Sequence, residues 1–302
     1  MPDDPTRPDY ARLIDAATWA FIRRTEAFAA PAGADLAAQR AAYDAMARAF
    51  HAGRPPGVAT RDAASGGVPV RAYGAASGTT VLYFHGGGFV VGGLESHDDI
   101  CAELCARTGL AVVCPDYRLA PEHPHPAAVD DGLAVARALA GPLVLAGDSA
   151  GGSLAAAVAH ALRGDARLRG QVLVYPGLGG DPGRGSAVVH ARAPLLTAGD
   201  VAVYARLRHA GPVPGDDPSA HPLHDARFDG LPPTVIFSAE CDPLADDGRD
   251  YAARIRAAGG QADWHLERGL VHGYLRARHT VPRARDAFAR IADAVRRLAQ
   301  AP

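Results

Sequence analysis

The segment LVLAGDSAGGSLAAAVAHAL, residues 143–162, decides the fold class of this chain. Its first residues are apolar, which is typical of a strand buried on both faces, and its second half has the composition of a closely packed helix. Between them, residues 147–151 (GDSAG) form a G-x-S-x-G motif. In this strand–turn–helix context, the motif predicts a sharp turn that lifts the Ser149 hydroxyl above the edge of a sheet.

The turn also predicts the chemistry that Ser149 needs around it. Glycine at 147 and 151 lets strand and helix approach closely, and the backbone N–H of Ala150 lies at a helix N-terminus, which stabilises negative charge. An unassisted serine hydroxyl is a poor nucleophile, so Ser149 requires a base and an acid that orients the base. After such a turn, these follow in the order Asp or Glu, then His, on loops after later strands.

Asp242 and His272 meet that requirement. In TVIFSAECDPLADD (234–247), a strand-like run ends just before Asp242. In ERGLVHGY (267–274), His272 falls in a loop between the last predicted strand and the last predicted helix. We therefore predict Ser149 as nucleophile, Asp242 as acid and His272 as base.

Other acidic residues and histidines fit the pattern less well. Asp246 and Asp247 should open the next helix, where carboxylates suit the helix dipole. Glu240 is a close rival of Asp242, and Asp148 adjoins the nucleophile but should leave the turn in a different direction. Of the 13 histidines, His160 falls in a predicted helix, and His123 and His125 fall in a proline-rich loop. His221 and His224 fall in a polar loop with no strand immediately before it.

A second glycine-rich stretch, VLYFHGGGFVVGG (81–93), follows another strand-like run. Three glycines in a row are entropically costly, so three explanations arise: a hinge, a phosphate cradle, or a backbone surface in close contact with a ligand. A phosphate-binding loop would continue with Lys and Ser or Thr, whereas Phe89 and two valines follow here. The stretch favours close backbone contact, with His85 supporting the loop by hydrogen bonding.

The composition is that of an ordinary globular protein, with 302 residues, 48% hydrophobic, 21% charged and a formal net charge of −2. This balance gives no basic surface for nucleic acid and no polybasic patch for a membrane. No apolar run approaches the ~18 residues of a membrane span. The start, MPDDPTRPDYARL, lacks a signal-peptide pattern, so we expect a cytoplasmic protein.

The four cysteines do not form a pattern typical of a disulfide framework. His97, Cys101 and Cys105 recur every four residues and could form one stripe of a helix, so a metal site has to be considered. Zinc sites usually show tight ligand pairs or a clear fourth ligand, and neither is evident. We expect free thiols on the buried face of a helix, and no metal.

Apolar runs alternate with helix-like segments along the chain, which predicts a mostly parallel sheet with helices on both faces. The predicted strands are 81–84, 110–115, 143–147, 171–175, 234–238 and 262–267. The predicted helices lie near 97–107, 126–140, 152–163, 198–209, 246–259 and 282–299.

Two regions stand outside this alternation. Residues 1–45 carry an Ala-rich helical pattern and should cap the sheet, leaving residues 46–302 as the catalytic domain. Stretches 177–197 and 211–233 are rich in Gly and Pro, so residues 177–222 should contribute loops or cap elements.

Five motifs in this order resemble those of the hormone-sensitive-lipase-like branch of the α/β-hydrolases, the bacterial esterases with an HGGG motif. They are HGGGF (85–89), DYRLAPEHPHPAA (116–128), GDSAGG (147–152), DPL (242–244) and HGY (272–274), and the resemblance covers about residues 75–300. It implies an α/β-hydrolase fold with a small helical N-terminal cap, and the same triad of Ser149, Asp242 and His272.

The resemblance also implies an oxyanion hole and the absence of a cofactor. By position, the backbone N–H groups of Gly87, Gly88 and Ala150 would form this hole, supported by His85 and Gly86. One departure is His125, where relatives usually carry an aromatic residue such as Phe. We expect that difference to alter a loop contact and not the triad.

The expected activity is hydrolysis of short- to medium-chain acyl esters through an acyl-enzyme. An amide or formamide hydrolase with the same triad is the alternative within enzymes, because the preference for a leaving group depends on the shape of the pocket. The alternative outside enzymes is a hydrolase relative that binds a ligand without catalysis. Such a relative would lack a member of the triad, whereas Ser149, Asp242 and His272 are all present here. We expect a small acyl ester as the partner, and we expect no binding to nucleic acid or to a membrane. The sequence leaves open whether the chain forms a homodimer.

Overall fold

The structure is a computed structural model that describes residues 8–31, 33–75, 78–212 and 215–300. Parts of the predicted cap segment (residues 1–7 and 32) and of a predicted loop (213–214) therefore lie outside the described residues. Eight strands form one sheet: β1 (Thr60–Ser65), β2 (Val68–Tyr73), β3 (Thr80–Phe84), β4 (Ala111–Pro115), β5 (Leu143–Asp148), β6 (Leu168–Val174), β7 (Thr234–Cys241) and β8 (Ala262–Val271).

Helices precede, separate and follow these strands. The α-helices are α1 (Tyr10–Leu13), α2 (Ala16–Glu26), α3 (Leu36–Phe50), α4 (Asp98–Thr108), α5 (Ala127–Ala138), α6 (Ala150–Ala161), α7 (Ser186–Val189), α8 (Ala198–His209), α9 (Ala245–Ala257) and α10 (Pro282–Gln300). Two short 3₁₀ helices span Pro222–His224 and Tyr274–Ala277.

The strand order in the sheet is β1-β2-β4-β3-β5-β6-β7-β8. β2 is antiparallel to both β1 and β4, and every other neighbouring pair is parallel. The carboxyl ends of β3, β5, β7 and β8 therefore lie along one edge, which is where open α/β sheets bind their ligands.

All six predicted strands and all six predicted helices are confirmed, with ends that differ by a few residues. The first two strands were missed. β1 has the sequence TRDAAS and is half-buried to exposed at the sheet edge, so it carries no apolar signal. β2 contains Pro69 and Arg71, which break the alternating pattern, although Arg71 is buried in ion pairs with Asp62 and Asp98.

The core is divided by the sheet into two apolar layers. Along β3, Val81 and Tyr83 face one layer, whereas Leu82 and Phe84 face the other. Because both faces are covered, the strand reads as a continuous apolar run. The first layer holds residues of α4 and α10, and the second holds residues of α5, α6 and α9.

The N-terminal helices pack on the layer that contains α4 and α10. Phe21 and Ile22 of α2 and Phe50 of α3 are buried there, with the Phe21 and Phe50 rings edge to face at 5.2 Å. Helix α3 runs through residue 45, where the sequence suggested that the cap segment ends. Within the described ranges, no helix has the length and apolar character required to cross a membrane.

Candidate active site

Ser149 lies on a tight turn between β5 and α6. Its φ of +54° is rare for a residue with a side chain, and such strain is characteristic of functional turns. The two flanking glycines make the turn sterically possible. A Cβ on Gly147 would overlap the backbone of Gly151, and a Cβ on Gly151 would overlap the carbonyl of Phe84 in β3.

His272 lies between the Ser149 hydroxyl and a buried carboxylate. Its Nε2 is 2.8 Å from Ser149 Oγ, and its Nδ1 is 2.7 Å from Asp242 Oδ2. Asp242 follows β7, is fully buried, and accepts a second hydrogen bond from the backbone N–H of Leu244 at 2.9 Å. His272 follows β8, so three strand ends bring the three predicted residues together.

The HGGG stretch forms a loop directly after β3. Gly87 and Gly88 have φ values of +128° and +62°, which side chains disfavour. The Gly87 carbonyl accepts the N–H groups of Val90 and Val91, both at 3.0 Å. Gly87 and Gly88 line the same cavity as Ser149 and His272, so the loop lies beside Ser149.

The other predicted site residues lie just behind this cavity. Ala150 is the first residue of α6 and is buried. His85 is fully buried, and its ring stacks on Tyr117 with centroids 4.2 Å apart. Its Nδ1 is 2.9 Å from the Gly86 carbonyl, and the Tyr117 hydroxyl donates to the His85 carbonyl at 2.7 Å. Burial and the neighbouring His97 lower the pKa of His85 to about 3, so its ring is neutral.

Asp148 is a site residue whose contacts the sequence did not predict. Its Oδ1 accepts the N–H of Gly86 at 3.1 Å and the hydroxyl of Tyr83 at 2.8 Å. His97 Nε2 lies 3.2 Å from the same oxygen, and the Tyr175 hydroxyl approaches Oδ2 at 3.4 Å. Burial alone would raise the pKa of Asp148, but His97, the charge of Arg276 and the Tyr83 hydroxyl lower it below its ordinary value, so the carboxylate is charged.

The rival acids and histidines serve other contacts. Glu240 accepts the Gly269 N–H at 2.7 Å and pairs with Arg268, whereas Asp246 accepts the Ser186 N–H at 2.9 Å. His160 pairs with Asp225, 2.7 Å away.

The His125 ring joins its own loop to the segment that carries Asp217 and Ser219. It contacts Asp217 at 2.9 Å and Ser219 at 3.1 Å, which are polar partners that a Phe at this position would not have.

The cysteine stripe packs into the core. Cys101, Cys105, Cys114 and Cys241 are all buried free thiols. Across the described ranges, no group of three or more His, Cys, Asp or Glu side chains is arranged to hold a metal ion.

A cavity of about 220 Å³ opens above Ser149. Helices α2 and α3 contribute Phe21 and Met46 to its walls, and α8 contributes Tyr204. Part of the predicted N-terminal cap therefore forms the wall of this cavity, together with the segment between α7 and α8 that carries Leu195 and Leu196.

Comparisons with known proteins agree with this architecture. A family profile described as the alpha/beta hydrolase fold matches residues 81–276. The esterase LipI of Mycobacterium tuberculosis is 40% identical over 227 residues, covering 70% of each chain. An ethyl acetate hydrolase of Pseudomonas putida is 35% identical over 228 residues, covering 69% of this chain and 72% of its own.

Solved structures give the same result. A crystal structure described as an esterase from the bacterial hormone-sensitive lipase family superposes with a TM-score of 0.84 at 28% identity, over 99% of this chain and all of the other. The chain belongs to the α/β-hydrolase fold family, as a carboxylic ester hydrolase of its hormone-sensitive-lipase-like branch.

Proposed function

We propose that this enzyme hydrolyses short- to medium-chain acyl esters by a two-step reaction in which Ser149 is transiently acylated. The observation that carries the proposal is the pair of hydrogen bonds on His272, at 2.8 Å to Ser149 Oγ and 2.7 Å to Asp242 Oδ2. Both distances lie within the range in which a base takes a proton from a nucleophile and an acid orients that base.

In the first step, Ser149 Oγ attacks the ester carbonyl while His272 Nε2 takes its proton. The buried Asp242 carboxylate accepts a hydrogen bond from the Nδ1–H of His272, so it fixes the reactive tautomer and stabilises the imidazolium. His272 then protonates the leaving alcohol. In the second step, His272 takes a proton from water, which attacks the acyl-enzyme. His272 then returns that proton to Ser149 Oγ as the acyl–Oγ bond breaks and the acid is released.

The negative charge that forms on the carbonyl oxygen requires fixed donors. We assign this role to the N–H groups of Gly87 and Gly88, which flank Ser149 on the cavity wall, and of Ala150, which starts α6. The neutral His85 and the N–H of Gly86 act behind them by holding the loop. Donors of this kind, held in place before the reaction, each contribute roughly 100- to 1,000-fold to kcat.

The size and lining of the cavity favour small substrates. Its 220 Å³ is below the ~300–1,000 Å³ typical of pockets for drug-sized ligands. Its walls include Phe21, Met46, Leu195 and Leu196, which suit an alkyl chain. The similarity to an enzyme named ethyl acetate hydrolase points to the same substrate class.

A series of p-nitrophenyl esters from acetate to palmitate tests the proposal. We expect maximal kcat/KM at about four to eight carbons, because the cavity is smaller than a typical ligand pocket. Ser149→Ala should lose nearly all turnover while keeping the wild-type melting curve, and retained turnover would refute the mechanism. The matching p-nitroanilides distinguish ester from amide hydrolysis.

A pair of carboxylate variants separates the role of Asp242 from that of its neighbours. Asp242→Asn should lower kcat by roughly 10⁴-fold, because an amide favours the wrong imidazole tautomer. Asp246→Asn is the matched control, since Asp246 lies four residues away and contacts the Ser186 N–H instead of His272. Equal losses in both variants would contradict the assignment.

A further inference from the structure

The cavity above Ser149 contains a cation whose charge is not used by the proposed hydrolysis. Arg276 lies in the 3₁₀ helix Tyr274–Ala277, four residues after His272, and is half-buried. Among the described residues that line the cavity, it is the one lysine or arginine. Most of the remaining wall is aliphatic, aromatic or glycine, so this guanidinium stands out chemically.

Among the described residues, Arg276 donates hydrogen bonds to neutral acceptors alone. Its Nη1 donates to the Ser96 carbonyl at 3.2 Å, and its Nη2 donates to the Tyr43 hydroxyl. The guanidinium carbon also lies 5.0 Å from the centre of the Tyr43 ring. An arginine has five N–H donors, so three of them have no acceptor within the described part of the chain.

The next arginine along the chain shows the usual solution for a buried guanidinium. Arg278 donates to Asp99 at 2.6 Å and to Glu103 at 2.7 Å, so its charge is neutralised by direct contact. A buried charge without such a partner is costly. For Arg276, no carboxylate oxygen of the described residues lies within 4 Å.

Asp148 lines the same cavity but does not fill this role. Its oxygens are already held by Tyr83, Gly86 and His97. Its charge still acts on Arg276 through space: burial would lower the pKa of Arg276, but Tyr43 and Asp148 raise it above its ordinary value. The guanidinium is therefore charged, and it belongs to a residue of the cavity wall.

We propose that Arg276 is an anion subsite, and that the enzyme prefers esters that carry a carboxylate. A guanidinium binds a carboxylate through two parallel hydrogen bonds, so a substrate of this kind would supply the missing counter-ion. Monoesters of dicarboxylic acids carry the charge on the acyl side, and acyl esters of hydroxy acids carry it on the alcohol side. This inference rests on the proposed ester hydrolysis at the same cavity.

Two pairs of esters with matched shape test the subsite. Monoethyl succinate is compared with ethyl 4-methylpentanoate, and O-acetylglycolate with isobutyl acetate; in each pair an isopropyl group replaces the carboxylate. For wild type and Arg276→Gln, the ratio of kcat/KM between charged and neutral ester is measured by titrating the released acid. We expect that ratio to fall roughly 10- to 100-fold in Arg276→Gln for one pair at least, the loss typical of a charged hydrogen-bonded contact.

The controls separate recognition from support of the fold. Arg276→Gln retains N–H donors for Ser96 and Tyr43, and turnover of the neutral ester reports any damage to the site. Arg276→Lys keeps the charge and should recover part of the ratio. An unchanged ratio in Arg276→Gln for both pairs would overturn the proposal and leave Arg276 as a clamp on Tyr43.

A binding measurement makes this test independent of the proposed reaction. Ser149→Ala should bind monoethyl succinate or O-acetylglycolate saturably in a calorimeter, and the added Arg276→Gln change should weaken that binding roughly 10- to 100-fold. If the wild-type enzyme hydrolyses none of the four esters, the proposed function fails, whereas the calorimetric result still decides the subsite. Equal binding with and without the arginine would refute it.

Discussion

Replacing Gly87 with alanine probes the proposed oxyanion hole through backbone geometry. Gly87 has a φ of +128°, a conformation that residues with a Cβ rarely adopt. A Cβ at this position would overlap the carbonyl oxygen of Val91 and would lie 2.8 Å from its carbonyl carbon. Because the obstacle is backbone, relief of the overlap requires the loop itself to move.

That loop is anchored on both sides of Gly87. Its carbonyl accepts the N–H groups of Val90 and Val91 at 3.0 Å, and the preceding Gly86 N–H is held by Asp148 at 3.1 Å. A shift that removes the overlap would therefore also move the Gly87 N–H, which we assign to the oxyanion hole. Loss of one oxyanion donor costs roughly 100- to 1,000-fold in kcat, and we expect a loss of this size for Gly87→Ala on p-nitrophenyl butyrate.

Gly109→Ala is the matched control. Gly109 ends α4 with a φ of +71°, and nothing lies within 4 Å of a Cβ placed there. This variant carries the left-handed strain, on the order of 1–2 kcal/mol, without a collision. We expect it to lower the melting temperature measured by circular dichroism and to leave kcat unchanged. Wild-type kcat in Gly87→Ala, or a loss that only tracks its unfolded fraction, would refute the reasoning.

Two further variants each remove the charge of a buried carboxylate. Asp148→Asn keeps an acceptor for the Gly86 N–H but removes the charge, so kcat for p-nitrophenyl butyrate should fall roughly 10- to 100-fold at similar KM; an unchanged kcat would contradict a role for the charge. Burial raises the pKa of Asp247 from 3.8 to about 6. Between these two pH values, the folded chain holds a proton that the unfolded chain releases. The free energy of unfolding therefore falls as the pH rises from 3.8 to about 6. Asp247→Asn, which still accepts from Leu178 and Gly180, should therefore raise the free energy of unfolding in urea by about 1–3 kcal/mol at pH 8, and by little at pH 4; an equal gain at both would be the contrary result.

The parts of the molecule that the sequence predicted well are those whose signal is local. The turn around Ser149 needs glycine at 147 and 151 because the backbone of Phe84 passes so close, and that requirement is visible as a motif. Asp242 follows the apolar run of β7, and His272 follows the last predicted strand, so their place at the strand ends could be derived. By contrast, β1 is a polar edge strand whose pairing with β2 depends on the rest of the sheet.

Side-chain partners from distant parts of the chain could not be predicted in this way. Arg276 stands in a short motif with no acidic neighbour, and nothing in HGYLRA indicates that its guanidinium would reach Tyr43 of α3. The wall of the cavity depends on the packing of helices α2 and α3, and their sequence shows amphipathic spacing but not what they cover. The side chains that line the cavity could therefore not be predicted from the sequence.

The contacts of Asp148 explain why the two glycine-rich motifs occur together in one chain. Asp148 immediately precedes Ser149, so any movement of its carboxylate is tied to the position of the proposed nucleophile. That carboxylate holds the N–H of Gly86, the residue before the proposed oxyanion donors, at 3.1 Å. Since its charge is desolvated, the contact is stronger than an exposed one would be. The turn that carries Ser149 and the loop of Gly87 and Gly88 are therefore linked through one side chain. A change in either motif should displace the proposed oxyanion donors relative to the proposed nucleophile.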